Sequence, residues 1–298
     1  MCYCRGTIIP VYDEYTAPSY YDLRNNESIY QNYEPSFLIA TFASAGYLVA
    51  APDGIGYGAT KGREHPYVHA PSLAQTSLDL LKAARELAAR EELEVAPRVF
   101  ITGWSEGGFA GMALHKLIED TCPKDFPVAA NSLLAGCYAL SAMMDLFCNY
   151  DEDYPEHHIN YWKLRSMARV YGLKRPFERI VVPPFAAALA RDVLADAPKN
   201  PRVGLDPGFR DAYLNDPDDE MRRALRDNDR YDWKPVAPVF LHHGTQDDIV
   251  PFFCAQKAYE AMRARGGRVQ LYPYLGKDHY QPVNRYVTRT LADFEKAR

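Results

Sequence analysis

Short apolar runs that read as β-strands alternate with helical repeats along most of the 298 residues. That rhythm confines the chain to a parallel sheet whose strands are joined by crossover helices. The candidate strands cover residues 4–9, 47–51, 98–103, a region near 131–139, 238–243 and 269–274. Helical patterns fall between them, over residues 36–45, 72–90, 109–119, 252–265 and 283–296. The first stops at Gly46, a residue suited to a helix C-terminus, and the second opens with Ser-Leu-Ala-Gln, a capping-box pattern. Between residues 146 and 234 the alternation breaks into Tyr-, Pro-, Asp- and Arg-rich sequence with helical patches and no strand pattern. A long excursion between two sheet strands reads as a cap or lid over the strand ends. Residues 1–145 and 235–298 are therefore expected to form one α/β core, with 146–234 inserted into it.

Composition narrows the function. Charged residues make up 24% of the chain and the formal net charge is −5. Its scattered Lys and Arg do not form the concentrated basic surface that nucleic acid needs, so a small molecule is the expected partner. No run is long and apolar enough to span a bilayer. The N-terminal Met-Cys-Tyr-Cys-Arg-Gly lacks the features of a secretory signal, which points to the cytoplasm, or to secretion if a leader has been removed. Six cysteines, Cys2, Cys4, Cys122, Cys137, Cys148 and Cys254, are too few for a disulfide scaffold and lack zinc spacing. Free thiols are expected, with a bridge among Cys122, Cys137 and Cys148 conceivable only in an oxidising compartment.

The chemistry centres on Gly103-Trp104-Ser105-Glu106-Gly107, placed after an apolar run and before a helical one. On a tight strand-to-helix turn the serine hydroxyl is exposed, and the glycines avoid collisions. The Glu106 backbone N–H then faces a developing oxyanion at a helix N-terminus, where negative charge is favoured. A nucleophilic serine needs a base, and the base needs a carboxylate to hold its tautomer. His279 is the histidine that follows the last strand and leaves room for an acid between it and Ser105. After the strand at 238–243, either Asp247 or Asp248 could supply that acid. Other suggestive residues have plainer readings. His65 and His69 are separated by a helix-breaking Pro66, which argues against a metal pair, and His157-His158 read as surface residues. The glycines at 54, 56 and 58 lack the context of a phosphate loop.

His243-Gly244-x-x-Asp247-x-x-Val250-Pro251 resembles a segment of α/β-hydrolase esterases and peptidases in which the aspartate is the triad acid. That resemblance selects Asp247. Ala51-Pro52-Asp53-Gly54-Ile55-Gly56-Tyr57-Gly58, His65-Pro66-Tyr67 and Tyr231-Asp232-Trp233-Lys234-Pro235 are similar to segments of the secretory-lipase-like branch. The matches extend from about Cys4 to His279. They imply the α/β-hydrolase fold, a mostly parallel sheet flanked by helices with a helical cap insertion. Two departures stand out. Where related enzymes carry His-Gly-Thr this chain has Arg5-Gly6-Thr7, so Thr7 is expected to lend the second oxyanion N–H while Arg5 replaces the histidine. The first antiparallel strands of the fold are not visible, and the sheet edge this would leave hints at a homodimer.

The expected reaction is carboxylic-ester hydrolysis on short-to-medium acyl esters through an acyl-enzyme, with Ser105, His279 and Asp247 as triad and no cofactor or metal. Trp104, Tyr12 and Tyr15 are candidate substrate contacts, although the tyrosines could equally be packing. An amidase or oligopeptidase, an acyltransferase, or a catalytically silent binding protein on the same scaffold are the other readings.

Overall fold

The computed structural model of the chain describes residues 1–9 and 34–298. The candidate contacts Tyr12 and Tyr15 lie outside the described residues. Five parallel strands run in the order β1 (Cys2–Cys4), β2 (Val99–Trp104), β3 (Val128–Leu134), β4 (Val239–Gly244) and β5 (Val269–Tyr274). Every residue of β1 and β2 is buried, as expected of strands covered on both faces. Side chains alternate across this sheet. Cys2 and Cys4 join Leu78, Leu81, Ile101 and Leu114 on one side, whereas Tyr3 joins Leu38, Phe42, Tyr286 and Val287 on the other.

The first face is covered by α2 (Ala70–Arg90), α3 (Glu106–Thr121) and α10 (Phe253–Ala264); the second by α1 (Ala40–Ser44) and α11 (Val283–Glu295). Three local outcomes differ from the sequence pattern. The 47–51 run is reduced to one parallel bridge, Ala50 to Cys2, with Ala50 N–H on the Met1 carbonyl and Tyr3 N–H on the Ala50 carbonyl. Its partner β1 is only three residues long, so a longer ladder has nothing to pair with. The run at 4–9 leaves the sheet at Cys4, which frees Arg5-Gly6-Thr7 to turn beneath the strand ends. Helix α2 starts at Ala70 rather than at the capping-box serine: Pro71 presets its first turn, and Asn228 Oδ1 accepts the Ala70 N–H at 2.8 Å.

Between β3 and β4 lie α4 (Leu140–Asn149), α5 (His157–Val170), α6 (Phe185–Leu189), α7 (Pro201–Gly204), α8 (Pro207–Asn215) and α9 (Glu220–Asp227). Most of the charged side chains in this region are exposed or half-buried, with Lys163 and Asp219 buried. Inward, Met144, Leu164, Phe209 and Met221 share one apolar cluster with Phe109 and Ala113 of α3 and with Tyr67 and Val68. Each fully buried side chain of this size contributes about 1.5–3 kcal/mol, so the inserted helices are anchored to the sheet domain by their apolar side. His157 is buried here rather than at the surface, and burial lowers its pKa to about 4. All six cysteines are free thiols. Among the described residues no helix is long and apolar enough to cross a membrane.

Candidate active site

Ser105 forms the joint between β2 and α3 with φ 60° and ψ −123°, a conformation side chains rarely adopt, costing about 1–3 kcal/mol. The turn around it is too tight for side chains. A Cβ on Gly107 would lie 2.0 Å from the Cys4 carbonyl oxygen, and one on Gly103 would lie 2.4 Å from the Gly107 oxygen. These contacts let β1 and the elbow touch backbone to backbone. They seat the Cys4–Arg5 backbone directly against the elbow at Gly107. The Ser105 N–H is held by the Leu134 carbonyl at 2.9 Å.

His279 follows β5 and is buried against Trp104, with ring centroids 5.6 Å apart. Its Nδ1 lies 2.7 Å from Asp247 Oδ2. Facing a carboxylate, Nδ1 carries the proton, which leaves the lone pair on Nε2, the arrangement a general base requires. Asp247 Oδ1 accepts the N–H groups of Ile249 at 3.0 Å and Val250 at 2.8 Å. A second histidine completes its surroundings: His243 Nε2 lies 2.7 Å from the Val250 oxygen and 3.3 Å from Asp247 Oδ2. Burial alone would raise the Asp247 pKa, but the hydrogen bonds from His243 and His279 hold it well below the usual carboxylate range. Asp248 is exposed. The Ser105 hydroxyl makes no hydrogen bond to His279 among the described residues; such contacts are often long without substrate and tighten around it.

Two carboxylates, Glu34 and Glu106, are buried near the elbow. Glu34, which opens a wide-turned helix (Glu34–Ile39), accepts the Gly6 N–H with both oxygens at 3.1 Å and the Tyr3 hydroxyl at 2.6 Å. Burial raises its pKa, while the charge of Arg5 works the other way. Support for the Arg5–Gly6 peptide thus comes from Glu34, to which Arg5 is the counter-charge. Thr7 Oγ1 lies 3.1 Å from the Tyr67 hydroxyl. Glu106 turns its carboxylate away from the elbow to His65 Nε2 at 2.9 Å and the Val68 N–H at 3.2 Å. His65 Nδ1 faces the Ile55 carbonyl at 2.8 Å. With both ring nitrogens on acceptors, His65 is an imidazolium serving Glu106 and not half of a metal pair. Among the described residues no cluster could hold a metal ion.

Burial pushes the His65 pKa down, but Glu106 and the Ile55 carbonyl outweigh it and hold the value above the ordinary one. A raised pKa stabilises the fold below the unfolded-state value and loses that contribution as pH rises through the folded-state value. Wild type is expected to melt about 2–4 °C above Glu106→Gln near pH ~6, with the gap closing toward pH ~9. Thermal melts at the two pH values check this, and a gap that widens with pH would refute it. Behind the network a cavity of about 40 Å³ is lined by Arg5, Gly6, Asp53, Tyr57, His65 and Glu106. It is too small for an organic substrate and does not reach Ser105.

Residues 24–286 match the Alpha/beta hydrolase family. No curated protein sequence matches the chain. Among solved structures it is similar to a Legionella pneumophila protein provisionally described as a hydrolase, at 26% identity and a TM-score of 0.84, covering 99% of this chain and 79% of that one. It is also similar to the rice cell wall degrading esterase LipA from Xanthomonas oryzae, at 21% identity and 0.82, covering 100% and 82%. Candida antarctica lipase A is a third neighbour, at 15% and 0.69, covering 98% and 69%. With its parallel sheet, its strand-to-helix serine turn and the family match over most of its length, the chain belongs to the alpha/beta hydrolase family.

Proposed function

We propose that this protein is a carboxylic-ester hydrolase that works through an acyl-enzyme. The observation that carries the reading is the buried His279–Asp247 pair, packed against the residue next to a serine strained into the left-handed region. In this mechanism His279 Nε2 takes the Ser105 proton as Oγ attacks the ester carbonyl. The backbone N–H groups of Glu106 and Thr7 stabilise the oxyanion. His279 then protonates the leaving alcohol, and water, deprotonated by the same nitrogen, releases the acid. Asp247 keeps the proton on Nδ1 and stabilises the imidazolium.

Helices α4–α9, and the insertion from 146 to 234 that contains most of them, would serve as a cap over this site. Their exposed acids include Asp151-Glu152-Asp153, Asp216 and Asp218. Acidic stretches of this kind disfavour contact with a lipid aggregate. Short-to-medium, water-soluble acyl esters are the substrates this favours. Rates on aryl esters from acetate through palmitate test the reading: kcat/KM should peak between acetate and octanoate. A maximum at palmitate would overturn the chain-length assignment, and no turnover at any length would overturn the hydrolase reading.

A further inference from the structure

His243 lies near the end of β4 and is completely buried. The mechanism gives it no proton to carry, yet its Nε2 is turned to the loop that holds Asp247. That nitrogen lies 2.7 Å from the Val250 carbonyl oxygen and 3.3 Å from Asp247 Oδ2. Both partners are acceptors, so Nε2 carries a hydrogen, directed at Val250 and shared at longer range with the carboxylate. Nδ1 has no hydrogen-bond partner among the described residues. A second proton there would be an unmet donor in a dry interior, which is costly. His243 is therefore held as a neutral Nε2–H tautomer. Val250 closes the ring of contacts by donating its N–H to Asp247 Oδ1 at 2.8 Å, and Phe252 packs against the imidazole at 5.8 Å between centroids.

The oxygen that His243 approaches is the one that matters. Oδ1 is spent on the Ile249 and Val250 N–H groups, whereas Oδ2 faces His279 Nδ1 at 2.7 Å. Two imidazoles thus draw on one carboxylate oxygen. A donor on Oδ2 withdraws charge from it and leaves less to stabilise the imidazolium that forms when His279 takes the Ser105 proton. Other titratable groups surround the pair. Cys254 of α10 is a thiol that burial keeps protonated, and Tyr280 lies edge-on to His279 at 5.3 Å. Asp248, Lys277 and Asp278 belong to the two loops themselves, and Asp278 accepts the Tyr280 and Gln281 N–H groups. Among the described residues none of these side chains is hydrogen-bonded to Asp247 or His279.

We propose that His243 is a positioning residue that sets how basic His279 is, by holding Asp247 Oδ2 with a permanent Nε2–H. The inference rests on the hydrolase reading above and adds to it the residue that tunes its base.

The pH profile of kcat/KM on a soluble aryl acetate tests this, since its acid limb reports the base of the free enzyme. Phenylalanine at 243 keeps a ring and removes the N–H, whereas the glutamine side-chain amide can return an N–H close to the place of Nε2. His243→Phe should move the acid limb up by about half a pH unit or more, because Oδ2 then serves His279 alone. His243→Gln should leave the limb where wild type has it. A histidine that only supported the fold would change rate or thermal midpoint without moving the limb. An unchanged or lowered limb in His243→Phe, or an equal shift in both variants, would overturn the proposal and leave the hydrolase reading standing. Absence of turnover by wild type would overturn the hydrolase reading itself. If His243→Phe fails to fold, wild type carrying isotope-labelled histidine supplies the second test by nuclear magnetic resonance. The His243 Nε2–H signal, assigned through its contact with Val250, should shift over the pH range of the acid limb while Nδ1 stays unprotonated. A signal indifferent to that range, or a protonated Nδ1, would overturn the proposal without any variant.

Discussion

Ser105→Ala is expected to lower kcat on any ester by about 10⁶-fold, leaving only the residual rate that the oxyanion donors and binding supply. The substitution is a clean probe for a reason particular to this turn. Serine and alanine carry the same Cβ, so both meet the same strain at φ 60°, and the turn is already held by the close approach of Gly103 and Gly107 to neighbouring backbone. The thermal midpoint should therefore stay near that of wild type while activity disappears. A serine-directed phosphonate should label wild type on the peptide containing Ser105 and leave Ser105→Ala unlabelled, as mass spectrometry of the digest would record. Label that persists in the variant would place the nucleophile elsewhere. Loss of label together with a collapse in thermal midpoint would mean that the hydroxyl supports the fold, contrary to expectation.

What could be read in advance follows from how local its cause is. The elbow was legible because its steric demand is written into adjacent residues: glycines two positions either side of Ser105, an apolar run before them and a helix after. The strand over Val269–Tyr274 and the buried strands β2 and β4 were legible to within a residue because continuous apolar runs bounded by turns have few alternatives. Segment 47–51 has the composition of a strand, but whether it pairs depends on the length of β1, far away in the chain. Glu34 was missed altogether. It reaches Gly6 across 28 positions of sequence, and nothing around Glu34-Pro35 marks a carboxylate bound for the interior. The Arg5 substitution was a partial signal, since a buried guanidinium calls for a buried acid without saying which one. Lys163 was equally silent, because a single lysine in an amphipathic helix reads as a solvated residue until the facing elements are known.

The comparison of Asp247→Asn with Asp248→Asn is expected to separate two adjacent residues by about four orders of magnitude in kcat, with the first lowered about 10⁴-fold and the second close to wild type. Asp247 accepts from four directions: two backbone N–H groups on Oδ1, and His279 and His243 on or near Oδ2. An asparagine can satisfy the backbone pair with its carbonyl oxygen only by turning its NH₂ toward both imidazoles. Donor then faces donor at His279 Nδ1. The ring relieves the clash by moving its proton to Nε2, which can no longer take one from Ser105. His243 offers no such escape, because its Nε2 must keep its proton for the Val250 carbonyl. Asp247→Asn should therefore lose stability as well as rate. The sign with pH is fixed by the depressed pKa: the ionised carboxylate stabilises the fold above the unfolded-state value near pH ~3.9, and that contribution is lost as pH falls through the lower folded-state value. Wild type should thus exceed Asp247→Asn in thermal midpoint at neutral pH, with the difference shrinking only in strong acid. Exposed Asp248 makes no comparable contacts among the described residues, so its variant should follow wild type in rate and in melting. A larger loss of kcat in Asp248→Asn would overturn the assignment of the acid and, with it, the tautomer assigned to His279.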